Sequence, residues 1–177
     1  MLPAVQAYTF SAPAGIPGSV TRFDESNVEP AQLVAASGVY PAAYGIAMKY
    51  VAGGIQQFNG GAETAASFAG VLVREVPSIS GAIGDDSAAN GTGTPWANNV
   101  PVGLVVRGYV NVQCVYGTPA RGGVVYVRIA TSGNGGAVGT FDATSDGGNN
   151  VALSATQAEW ATDGKDANNN AELRIAR

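Results

Sequence analysis

Two pairs of adjacent carboxylates, Asp24-Glu25 and Asp85-Asp86, are the first residues to test for proton transfer or cation binding. Glycoside cleavage needs two carboxyl groups on opposite sides of one bond, and sequence neighbours in a loop seldom converge that way. Both pairs therefore read as solvated loop charge. The stretch "GDDSAANGTG" has acidic residues beside turn residues, as calcium loops do. It lacks their alternating ligands and terminal Glu, so no bound cation is expected. The chain contains no histidine. That removes the usual general base near neutral pH, the Ser–His and Cys–His nucleophile pairs, and the commonest metal ligand. Cys114 is the sole cysteine, so neither an internal disulfide nor a thiolate metal cluster can form. It reads as a small buried hydrophobe, consistent with assembly in a reducing cytoplasm. "GNGGAVG" (133–139) joins two strand-like segments instead of opening a helix, so it is no phosphate cradle. Asn90-Gly91-Thr92 is a formal glycosylation sequon without meaning in an unsecreted protein. The expectation is a protein with no enzymatic activity, no cofactor and no metal.

The arginines carry more information. Seven arginines stand against two lysines, and Arg107, Arg128 and Arg174 each fall in the middle of an alternating segment, as Arg74 also does. Tyr109 and Tyr126 share the faces of Arg107 and Arg128. Arg and Tyr are enriched at protein interfaces, where Lys is depleted. These residues are the candidates for a protein-contact surface, with an ordinary solvated sheet face as the alternative.

The elements that would position them follow a period of two. "VPVGLVVRGYVNVQCVYG" (100–117) gives the apolar row Val102, Leu104, Val106, Gly108, Val110, Val112, Cys114 and Tyr116. The alternate row, with Arg107, Tyr109, Asn111 and Gln113, is expected to meet a protein partner. "YGIAMKYV", "IQQF", "SFAGVLVREV", "VVYVRIA", "AVGTF", "VAL" and "ELRIA" supply further strands. The strands at 102–116 and 124–130 read as a hairpin. The fold class is therefore all-β: a sandwich, a jelly-roll-like domain or a barrel. Residues 77–99 form a long polar loop.

Residues 1–43 look different. Pro13, Pro17 and Pro30 stand among glycines with no sustained period, which predicts an extended N-terminal arm with loops. A short helix is conceivable only over 29–37. The β-rich domain would then be 44–177. Tyr8, Phe10, Ile16 and Phe23 cannot bury themselves on such an arm, so they are expected to dock on another subunit or partner, with Arg22 adding a directional polar contact.

Composition sets the outer limits. At 177 residues, 46% hydrophobic and 12% charged, the chain fits one globular domain able to bury roughly 70% of its unfolded surface. A net charge of −4 opposes nucleic-acid binding. "MLPAVQAYTF" has no basic leader region, and no segment approaches the length of a membrane span. No nucleic-acid or membrane partner is expected.

The segments "AGIPGSVTRF" (14–23), "YPAAYGIAM" (40–48), "FAGVLVREVP" (68–77), "VPVGLVVRGYVNV" (100–112), "GGVVYVRIA" (122–130) and "VGTFDA" (138–143) occur in an order and spacing that resembles the cement, or decoration, proteins of tailed-phage capsids. The resemblance runs from about residue 14 to "AELRIA". It implies a β-rich structural protein on the outer capsid surface of the virion, made in the host cytoplasm. It further implies binding to the major capsid protein, bridging of capsomers, and a homo-oligomer, either trimer or dimer. The loop 77–99 and "DGKDANNNAE" (163–172) have no counterpart in it. The alternative is a receptor-binding or adhesion β-domain of a phage tail or surface structure. That reading calls for clustered loop aromatics, and Trp96 stands alone in its loop.

Overall fold

In a computed structural model the described residues are 15–34, 41, 43–74 and 101–176. They form two antiparallel assemblies. The larger sheet contains β1 (Asn27–Gln32), β2 (Ala47–Val51), β3 (Gly54–Gln57), β4 (Phe68–Leu72), β5 (Pro101–Gln113), β9 (Ala158–Trp160) and β10 (Asn170–Ile175). Its order is β3-β2-β4-β5-β10-β9, and β1 joins β5. The smaller sheet is β7-β6-β8, made of β6 (Tyr126–Arg128), β7 (Phe141–Asp142) and β8 (Asn150–Ala152). The all-β class is correct. The expected hairpin is not formed: β5 and β6 lie in different sheets. The expected helix is also absent over residues 29–32, which are strand β1. Pro30 sits in that strand because an edge position does not require every N–H to join a ladder.

Thirteen residues long and rich in valine, β5 is the spine of the fold. Val71 and Leu72 of β4 pair with its first half, and Ala171–Ile175 of β10 pair with its second. Between the halves stands Gly108, with φ near +113°, a conformation that only glycine adopts readily. An added Cβ there would lie 2.3 Å from Ser26 Oγ. The strand bends at this point. Val73 N–H bonds Gly103 O, Arg74 N–H bonds Gly18 O, and Gly18 N–H bonds Asn111 O. Three residues thus span eight steps of β5, which would cover about 26 Å if straight.

The bend re-aims the apolar row. Before Gly108, Val102, Leu104 and Val106 pack with Leu33, Ile46, Met48, Ile55 and Leu72 in one core cluster. Beyond it, Val110, Val112 and Cys114 pack in a second cluster with Val127, Phe141, Trp160, Leu173 and Ile175. Val105, of the opposite parity, already belongs to that second cluster. Phe68 meets Phe141 edge-on there, their ring centroids 6.4 Å apart, which joins the two sheets. The buried Trp160 indole is satisfied by Val124 O at 3.1 Å.

The N-terminal stretch is not a free arm over its described part. Gly18, Ser19 and Thr21 exchange backbone hydrogen bonds with Tyr109 and Asn111. Residues 27–32 then pair with 101–107, and Leu33 is buried in the core. Pro17 and the glycines break helical periodicity without preventing sheet pairing.

Candidate functional site

Strand register gathers charged side chains on the outer face of the β5 second half. Arg174 lies opposite Tyr109 on one side and Glu159 on the other, while Glu172 lies opposite Asn111. Arg22 Nη2 is 3.0 Å from Glu172 Oε2, its Nε donates to Oε1 at 3.4 Å, and Thr21 Oγ1 donates to the same Oε1 at 2.6 Å. The Arg22 guanidinium stacks over the Tyr109 ring at 3.9 Å from its centroid. Arg174 Nη1 donates to Glu159 Oε1 at 2.6 Å. Hydrogen bonding to Glu172 and to Glu159 raises the pKa values of Arg22 and Arg174 respectively, so both remain cations.

Arg107 is different. It is exposed, and among the described residues it pairs with no carboxylate. It borders an open groove of about 490 Å³ together with Asp24, Glu25, Tyr109 and Arg174. On the turn that carries Asp24 and Glu25, Phe23 is 74% exposed; earlier in the chain, Ile16 is 53% exposed. Leaving a large apolar side chain in water forgoes about 1.5–3 kcal/mol of burial.

The remaining candidates fall elsewhere. Arg74 stands 5.5 Å from the Tyr44 ring centroid. Tyr126 is half-buried in the smaller sheet. Tyr8 and Phe10 lie outside the described residues, as do Asp85-Asp86 and Trp96.

Arg128 requires a correction. It is fully buried, not on an accessible face. Its Nη2 is 2.7 Å from Asp142 Oδ2, and its Nη1 donates to Asp146 Oδ2 and Ser132 Oγ, each at 2.8 Å. Strand alternation did place it opposite Val127. Asp142 of β7, Asp146 of the loop after it and Ser132 of the loop after β6, however, close over that side, so a polar side chain became interior. Nor does the mixed row of β5 meet a partner throughout: Asn111 is buried beneath Gly15, and Tyr109 lies under Arg22.

Sequence reading missed Thr21, Glu159 and Glu172 in this surface. The i, i+2 spacing of Glu172 and Arg174 was a visible signal, but their partners come from strands distant in sequence. Among the described residues no group of three or more His, Cys, Asp or Glu is placed to hold a metal. Cys114 is buried, and burial pushes its thiol up to about 11, away from reactivity at neutral pH.

Two antiparallel sheets that share a core, with an Arg- and Tyr-bearing face, make this an all-β protein. The family model for structural cement proteins (E217 gp24/Pam3 gp6) matches residues 5–176, and the chain belongs to that family. Its role is structural and capsid-associated. A chain in a solved structure described as the capsid of Myoviridae Phage XM1 is similar in fold. Its TM-score is 0.63 at 17% identity, covering 98% of this chain and 97% of that one. No curated protein sequence matches the chain.

Proposed function

We propose that the protein binds the outer surface of an assembled phage capsid and bridges neighbouring capsomers, acting as a homo-oligomer on the major capsid protein. The observation that carries this is the uncommitted Arg107, in a groove shared with Asp24 and Glu25, whose turn also carries the exposed Phe23, while the Arg22–Tyr109–Glu172 cluster stiffens the neighbouring surface. Exposed apolar side chains gain by burial in a protein contact, and an unpaired cation is stabilised there when the partner brings a carboxylate. Arg74 and Tyr126 extend the candidate contacts, and Tyr8 and Phe10 belong to the same reading of the N-terminal stretch. The net charge of −4 favours an exterior position over one against packaged genome. The likeness in fold to a chain of the XM1 capsid is consistent with it. Each contact need be only modest, because a symmetric shell engages many copies at once.

The test mixes purified protein with undecorated capsids and images the particles. Density on the exterior that spans two capsomers, together with a raised disruption temperature, is expected. Density inside the shell, or none, would overturn the proposal.

A further inference from the structure

One stretch of surface, from the Phe23 turn along β1, carries both halves of a matched contact. Phe23 projects from the 3-10 turn Phe23–Glu25 with three quarters of its surface in water. Further along the same stretch, Val28 and Pro30 form an open apolar hollow of about 400 Å³ with Pro101, Val102 and Gly103. The hollow is shallow and open to solvent, and Val28 at its edge is itself 41% exposed. Phe23 does not line it. The antiparallel register explains why: Asn27 lies opposite Arg107, while Pro30 and Ala31 lie opposite Gly103 and Val102. Turn and hollow therefore sit at different points along one β5 half, too far apart for the ring to fold back.

The charges have the same character. Arg107 is an exposed cation without a carboxylate partner among the described residues. Asp24 and Glu25 border the same groove without a cation inside ion-pair distance among the described residues, although Glu25 lies within longer electrostatic reach of Arg22 and Arg174. A two-fold contact needs a patch that complements itself, knob against hollow and cation against anion. A capsid partner would need only one half of each pair.

We propose that this stretch is a self-docking surface. Phe23 of one copy enters the Val28–Pro30–Val102 hollow of a second copy, and Arg107 of each meets Asp24 or Glu25 of the other. Pro30 keeps the edge strand from extending into a continuous intermolecular ladder, so side chains rather than backbone bonds set the contact. This deepens the homo-oligomer reading and rests on it.

The test is sedimentation equilibrium of the intact chain in the analytical ultracentrifuge, with capsid binding measured separately. Phe23→Ser and Arg107→Glu should each weaken self-association about tenfold or more. Asp24→Lys combined with Glu25→Lys should weaken it similarly. Mixing the Arg107→Glu protein with the Asp24→Lys/Glu25→Lys protein should restore a heterodimer, an outcome that damage to the fold cannot produce. Wild-type affinity in every variant, or no recovery on mixing, would overturn the self-docking surface. If the wild type stays monomeric yet still coats capsids, this inference fails while the capsid-binding proposal stands. If it self-associates as described but never binds capsids, the reverse holds.

Discussion

The Arg128 guanidinium lies 2.7 Å from Asp142 Oδ2, and neither side chain reaches solvent. Asp142 is held in turn by Asn150 Nδ2 at 2.9 Å and by the Tyr116 N–H at 3.1 Å. Asp146 closes the other side of the guanidinium. The Nη2 contact is a close ion pair and not an aligned hydrogen bond, and Nε has no acceptor among the described residues. Removing one partner from such a pair strands a buried charge. Arg128→Met is therefore expected to cost about 3–5 kcal/mol of stability in chemical denaturation. Arg121→Ala, which removes an exposed contact to Asp163, should leave the midpoint unchanged. Equal, small effects of the two would show that the buried cluster contributes nothing.

Asp146 makes part of that stability depend on pH. Its pKa is lowered, chiefly by a hydrogen bond with the Ser132 hydroxyl and then by those from Arg128 and Asn134, against an opposing effect of burial. A carboxyl depressed in the folded state adds stability above its unfolded pKa of about 3.9, and that stability is lost as pH falls toward the folded value. Urea midpoints should hold from pH 7 to pH 5 with respect to this group, then fall below about pH 4. Asp146→Asn should flatten the acid limb. An unchanged acid limb in that variant would remove Asp146 from the account.

Gly108 is the corner of β5. Gly108→Ala puts a side chain at φ near +113° and against Ser26 Oγ, whose hydroxyl accepts the Tyr109 N–H at 3.0 Å. The expected loss is about 1–3 kcal/mol, read from the unfolding midpoint. Gly53→Ala is the matched control for conformation alone, since its added Cβ would meet nothing within 4 Å. A smaller loss at Gly108 than at Gly53 would contradict the corner.

Truncation tests whether the N-terminal stretch belongs to the domain. A chain beginning at Arg22 loses the backbone partners of Tyr109 and Asn111. It should unfold at a lower temperature than the full chain, or lack a cooperative transition. An identical melting temperature would return residues 15–21 to the role of a free arm.

Much of the architecture was legible before any coordinates. The period of two located β2, β3, β4, β5, β6, β8 and β10, because side chains alternate across any strand that has one buried face. It missed β1, where Pro30 and exposed polar residues hide the alternation, and β9, only three residues long. The missing histidine and lone cysteine narrowed the chemistry, since composition needs no geometry. Arg22, Arg107 and Tyr109 were singled out as contact candidates, yet Glu172, the partner of Arg22, and Glu159, the partner of Arg174, were not. The Arg22–Glu172 contact joins positions 150 residues apart, and no local pattern records it.

The sequence by itself determined an all-β chain, a valine-rich central strand and a surface where arginine replaces lysine. Tertiary structure decided which sheet each strand joined, where β5 turned, and whether each arginine faced inward or outward. Arg107 and Arg128 show the physical reason. Both sit on the more polar row of a strand, Arg107 in the middle of β5 and Arg128 at the end of β6. What separates them is the chain that returns across each face: nothing pairs Arg107 among the described residues, whereas Asp142 of β7 and Asp146 of the loop beyond it close over Arg128. Alternation fixes the side of the strand from local sterics, but solvent access depends on distant segments.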